Sequence, residues 1–232
     1  MNALAIDCAV SKIAIAAKKD TMLTKLVLNI GTKQSEKLLP SIDFVLQELE
    51  LKPSELDYTT ITSGPGSFTG LRLGLSSLKA LSLSHNIPLY GIPSLEAYSL
   101  QYKDSPESVL SVIEAKEDEY YYQFFSRGKK LSEPEDKTIE EIIKQIDQES
   151  SVLVCGPGAS SFCSRVNEIS QLYSVHCYVP EIDATENLFV IAEELIKNKA
   201  EPMQDYDGPL YVRKSEAELV YEQKQLKNSG SI

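Results

Sequence analysis

Apolar residues recur along the chain in two rhythms. Short runs at residues 3–8, 13–17 and 23–30 have the length of strands, with Lys18-Lys19-Asp20 as the turn between the last two, and they predict a three-stranded meander. A helical period follows from about residue 34 to 51, where Leu38, Leu39, Ile42, Val45, Leu46 and Leu49 share one face. Pro40 falls inside this helix and should displace its start or kink it, and Phe44 projects on the opposite, polar side. The β-branched and aromatic run Tyr58-Thr59-Thr60-Ile61-Thr62 predicts a strand that ends at Ser63-Gly64-Pro65-Gly66. A helix over residues 68–85, a short strand at 89–91 and a short helix at 94–102 complete this half.

The helix at 68–85 carries apolar residues all round its wheel, with only Arg72 and Lys79 as a charged stripe. Such a helix is normally buried. A further stripe, Gly70, Gly74, Ser77, Leu81 and Ser84, leaves room for a second backbone, and glycines inside a helix point to a packing reason. We therefore expect this helix to be covered twice, once by its own sheet and once by a neighbouring helix or a second protein.

The polar stretch 101–108 breaks the pattern, and the plan then repeats. Strands are predicted at 109–115 and 119–125, a weak third near Leu131, a helix at 138–146 and a strand at 152–155. That strand ends in Gly156-Pro157-Gly158, a copy of Gly64-Pro65-Gly66 in the same topological slot. A helix from Ser160, a strand at 175–178 and a helix at 186–197 close the set, so an internal duplication is inferred. The domains expected are 1–103, 104–213 and a charged tail over 214–232.

Charge and composition narrow the chemistry. With 34 acidic against 23 basic residues the formal charge is -11, which repels a phosphate backbone over most of the surface. Any contact with nucleic acid should come mostly from another protein. The cysteines, Cys8, Cys155, Cys163 and Cys177, make no C-x-x-C pair, and His85 and His176 stand far apart, so no zinc signature arises. No apolar stretch approaches the ~20 residues of a membrane span, and the N-terminus has no basic n-region. A cytoplasmic protein is expected.

A glycine turn that opens a helix is a candidate anion site, here Asp7, Gly64, Gly66 and Ser67. The spacing G-x-G-x-x-x-G is one residue longer than the dinucleotide pattern, and no Gly-Lys-Ser/Thr follows. The duplicated plan resembles the actin, hexokinase, sugar kinase and Hsp70 superfamily, an RNase H-like α/β fold of two domains with mixed sheets flanked by helices. Its members grip ATP between the halves, with a carboxylate and a glycine in each strand hairpin. Here the hairpins Asp7-Cys8-Ala9-Val10-Ser11 and Glu114-Ala115-Lys116-Glu117-Asp118 keep an acid and lack the glycine, which favours a structural carboxylate at Asp7 over a metal ligand.

The run Ser-Gly-Pro-Gly-Ser-Phe-Thr-Gly-Leu-Arg-Leu-Gly at 63–74, followed by Ile87-Pro88-Leu89-Tyr90-Gly91-Ile92-Pro93-Ser94-Leu95-Glu96-Ala97, resembles the TsaB (YeaZ) family. Ile6-Asp7, Ser35-Glu36-Lys37-Leu38-Leu39-Pro40 and Pro209-Leu210-Tyr211-Val212-Arg213 extend the resemblance. Gln34 stands where that family often has histidine, and Glu114-Ala115-Lys116 replaces its usual Asp-Ala-Arg. The resemblance implies a protein with no active site, cofactor or metal of its own, which supports the related catalytic subunit TsaD. TsaE, an ATPase, joins that pair, TsaC supplies the activated adenylate, and tRNA is met only through the complex. It also implies a helix pair that packs on TsaD, or on a second copy when TsaD is absent. The residues assigned to that pair are Leu38, Ser41, Phe44, Val45, Glu48, Gly70, Arg72, Gly74, Ser77, Leu78 and Leu81, and Gly74→Leu is expected to block pairing while sparing the fold. The alternative is an enzyme, either an ATP-dependent member of the actin-like superfamily or a glycoprotease-like peptidase.

Overall fold

A computed structural model describes residues 1–146, 151–169, 175–177 and 183–213. The charged stretch expected as a tail, 214–232, lies outside the described residues. The first half runs β1 (Asn2–Asp7), β2 (Ile13–Lys19), β3 (Met22–Leu28), α1 (Gln34–Gln47), β4 (Tyr58–Gly64), α2 (Phe68–His85), β5 (Leu89–Pro93) and α3 (Ser94–Ser99). The second runs β6 (Ser108–Glu114), β7 (Glu119–Ser126), β8 (Lys129–Lys130), β9 (Glu135–Thr138), α4 (Ile139–Ile143), β10 (Val152–Cys155), α5 (Ala159–Ile169) and β11 (Val175–Cys177). Helix α6 (Thr185–Lys197) follows.

The two sheets have the same order. The first is β3-β2-β1-β4-β5 and the second β8-β7-β6-β10-β11, with β9 added beside β7. In each, the hairpin is antiparallel (β1 with β2, β6 with β7), and the crossover strands are parallel to its first member (β4 to β1, β10 to β6). The central strands read as near-continuous buried runs, as expected when a sheet is covered on both faces. This is the duplicated actin-like plan.

Three apolar cores hold the layers. One lies between the first sheet and α1 with α2, built on Ile6, Leu38, Val45, Ile61, Leu75 and Leu78. Another lies between the second sheet and α4 with α5, around Val112, Tyr122, Ile142 and Phe162. The third is shared by both halves and draws Tyr58, Leu95, Tyr98, Val109, Phe125 and Leu188 together.

Helix α6 departs from its place in the repeated order. Instead of closing the second sheet it returns to the first, packing on β1 and β4 and against α3. Its apolar face, Leu188, Phe189 and Ala192, enters the shared core. Lys18 pairs with Glu193, whose Oε1 also accepts from the buried Tyr58 hydroxyl at 2.9 Å, and Lys25 pairs with Asp183 and Glu186.

Helix α1 contains Pro40 without ending there, and it stops at Gln47 rather than running on to Leu51. Glu50 takes a left-handed backbone, φ 49°, and turns the chain so that Leu49 and Leu51 still reach the core. Lys19 Nζ donates to the Leu49 carbonyl at 3.1 Å, placing a cation at this C-terminus. Helix α2 has the bounds its pattern predicts: Ser67 Oγ caps the start by accepting from Gly70 N, and Asn86 ends it in a left-handed conformation.

Candidate functional site

The turn between β4 and α2 is where an anion would be expected. The Gly64, Ser67 and Gly70 amides and the space beside its glycines are already taken by the protein itself. Ser67 N donates to the Ala9 carbonyl at 2.6 Å, and a Cβ built on Gly66 would collide with that same oxygen. Gly64, with φ +118°, donates its N–H to Ser94 Oγ at 3.1 Å, and a Cβ there would collide with the Leu210 carbonyl. These glycines serve close approach of the protein's own backbone. The Ala9 oxygen lies near the start of α2, where a bound anion would seek the helix dipole.

Asp7, at the end of β1, is buried and fully engaged. Its carboxylate accepts from Ala9 N at 3.2 Å, Thr62 Oγ1 at 3.1 Å, Tyr98 OH at 2.8 Å and Ala184 N at 2.9 Å. Burial pushes its pKa above the usual carboxylate value, and the donors from Ala184, Tyr98 and Ala9 pull back against that rise. The carboxylate thus knots the hairpin, β4, α3 and the start of α6 into one point. Cys8, next along, presses its Sγ on α2 at Gly74, and burial pushes its thiol pKa up. Burial likewise pushes Cys155 up to about 12.

The second Gly-Pro-Gly copies part of this geometry. Gly158 N donates to the Val112 carbonyl at 3.1 Å, and a Cβ on Gly156, φ +92°, would stand 2.5 Å from the same oxygen. Beside the second turn and the first hairpin lies a cleft of about 530 Å³, lined among others by Asp7, Ser11, Glu114, Pro157, Ser160 and Asp183. The sequence-derived anion set Asp7, Gly64, Gly66 and Ser67 is therefore brought together, and only Asp7 of the four lines that cleft.

The helix pair needs a larger correction. Leu38, Ser41, Val45, Gly70, Gly74 and Leu78 are buried in the protein's own core, so they are not available to a partner. A Cβ on Gly74 would lie 2.5 Å from Cys8 Sγ and 2.8 Å from Ile61 Cδ1, and one on Gly70 would collide with the Cys8 carbonyl. The small residues admit Cys8 of the first hairpin and Ile61 of β4, and Gly74→Leu would strike the fold. Phe44, Glu48 and Arg72 are exposed, and Ser77 and Leu81 are half-buried. Leu83, 68% exposed, Leu39 and Phe68 also face outward on these helices. Leu39, read from sequence as sharing the face of Leu38, is 61% exposed while Leu38 is buried.

The second cover over part of α2 is the protein's own C-terminal segment, residues 203–213. Lys79 Nζ donates to the carbonyls of Gln204, Asp205 and Asp207 at 3.0, 2.6 and 2.5 Å. Leu210 N donates to the Ser63 carbonyl at 2.7 Å. Arg72 Nε donates to Tyr211 OH at 2.8 Å while its guanidinium lies 3.7 Å from the centre of the Phe68 ring.

Fold and site together define an α/β protein of the duplicated actin-like class whose first glycine turn is closed by its own hairpin. The family model for TsaD, tRNA N6-adenosine threonylcarbamoyltransferase, matches residues 30–152. The TsaB protein of Buchnera aphidicola from Schizaphis graminum is 32% identical over 143 residues, 61% of this chain and 68% of that protein. That of Bacillus subtilis is 27% identical over 128 residues, 53% of this chain and 56% of its own length. Both are named tRNA threonylcarbamoyladenosine biosynthesis proteins. YeaZ of Pseudomonas aeruginosa shares the fold, with a TM-score of 0.74 at 19% identity over 90% of this chain and 99% of that one. The chain belongs to the TsaB family.

Proposed function

We propose that this protein serves the threonylcarbamoylation of the tRNA adenosine beside the anticodon as a supporting, non-catalytic subunit that binds TsaD, with TsaE joining the pair. Family membership supports the process. The observation that carries the supporting role is the closed turn: Ala9 and Leu210 carbonyls fill the space beside Gly66 and Gly64, and four donors hold Asp7. A phosphate entering there would have to displace the hairpin and the C-terminal segment together.

The partner face we assign is the outer side of α1 and α2, through Phe44, Glu48, Ser77 and Leu81, with Leu39 and Leu83 added by their exposure. A large exposed leucine and phenylalanine on adjacent helices suit a helix-packing partner. In the absence of TsaD a second copy would use the same face. The test is reconstitution of tRNA modification from TsaC, TsaD, TsaE and ATP with and without this protein. Activity that requires the protein and survives Asp7→Asn, in a variant shown to fold, is the expected result. Activity that persists without it, or magnesium-dependent ATP hydrolysis by the isolated protein, would overturn the reading.

A further inference from the structure

The C-terminal segment does more than cover α2. It leaves the edge of the first sheet, where Met203 N donates to the Leu89 carbonyl at 2.8 Å, and runs under the Lys79 ammonium to Ser63 at the glycine turn. It ends on the other half of the protein. There the Arg213 guanidinium bonds Glu119 and lies 3.7 Å from the Asp136 carboxylate on β9. Glu119 is the base of the β6–β7 hairpin: its carbonyl accepts from Ala115 N at 3.0 Å, and its N–H donates to the Lys116 carbonyl at 3.1 Å. Glu114, in the same hairpin, lines the cleft between the halves.

The segment thus joins the glycine turn of the first half to the hairpin of the second. The halves are also joined by the shared buried core and by the Lys130–Glu96 ion pair at 2.9 Å, and the 203–213 tie, unlike that core, is made of hydrogen bonds and ion pairs. We propose that residues 203–213 form a latch that fastens the β6–β7 hairpin, whose Glu114 lines the cleft, to the glycine turn of the first half, with Arg213 as its catch on the Glu119–Asp136 pair. The catch is suited to this, because a planar guanidinium holds two carboxylates from different strands at once. The inference stands on these contacts and does not depend on the partnership with TsaD.

Hydrogen exchange on the full chain tests it, comparing Arg213→Glu, the milder Arg213→Gln, and the exchanged pair Arg213→Glu with Glu119→Arg. Both single changes should raise exchange roughly tenfold or more in residues 203–213 and in the hairpin 114–119, leaving the β1 and β4 amides at wild-type rates. The exchanged pair should restore protection, since a guanidinium carried on β7 would face both the carboxylate at position 213 and that of Asp136. Wild-type exchange in the single variants would overturn the latch. So would an exchanged pair that matches the wild type in its urea midpoint yet stays unprotected in these segments, or single variants whose protection falls evenly through the whole protein.

Discussion

The two Gly-Pro-Gly turns sit in the same slot of the same topology, and they differ in what else reaches them. The first is sealed: the Ala9 carbonyl lies against Gly66, the Leu210 carbonyl against Gly64, and Asp7 behind them is buried under four donors. The second closes on Val112 in the same way, but Pro157 and Ser160 line the cleft and its hairpin acid, Glu114, is exposed. A shared motif fixes how a strand hands over to a helix. What happens there depends on which other segments arrive, and at the first turn the hairpin and the C-terminal segment arrive.

Substitution should separate the two turns most sharply at their glycines. Gly66→Ala, at φ +157°, places its Cβ against the Ala9 carbonyl oxygen and should cost about 3 kcal/mol by strain and overpacking. Gly158→Ala in the second half meets the Glu114 amide at 2.9 Å and should cost about 1 kcal/mol. Urea unfolding of both variants checks the order.

The hairpin acids should differ nearly as much. Asp7→Ala leaves the Ala9, Thr62, Tyr98 and Ala184 donors facing a void, with an expected loss of about 2 to 3 kcal/mol. Glu114→Ala, at an exposed site, should stay within about 0.5 kcal/mol of the wild type. Equal losses in the two variants would erase the distinction between sealed and open turns.

A smaller effect follows from protonation. Burial raises the folded pKa of Asp7 above its ordinary value of 3.8, so between that value and the folded pKa the native state holds the extra proton. Stability from this group is present below 3.8 and is lost as pH rises through the window, at no more than about 1.4 kcal/mol per pH unit. The difference in unfolding free energy between the wild type and Asp7→Asn should fall with rising pH over that range. A flat difference would show that the four donors cancel the cost of burial. Arg72→Ala should lose about 1 kcal/mol from the lost contact with Phe68 and Tyr211.

Much of this was legible in the sequence because it is periodic or local. The repeated strand order and the bounds of α2 follow from the alternating runs, the Gly-Pro-Gly turn and the helical period that comes after it. The errors come from contacts that local pattern does not encode. A stripe of Gly70 and Gly74 announces close approach without naming the visitor, and the visitor is Cys8 of the same chain. Helix α6 has the amphipathic pattern for either sheet, and only the shared core around Tyr58 and Leu188 decides for the first. Arg72 reads as part of a charged stripe that serves the helix pair, and nothing local announces Tyr211, 139 residues away, which accepts its hydrogen bond.

Function, on this reading, rests on a partner bound at the outer face of α1 and α2. Light scattering on a sizing column, with the protein alone and mixed with TsaD from the same organism, tests it most directly. A stable heterodimer should replace the monomer or homodimer, and Leu83→Asp should weaken it while leaving the urea midpoint unchanged. No association between two folded proteins, or a heterodimer indifferent to Leu83→Asp and to Phe44→Asp alike, would contradict it.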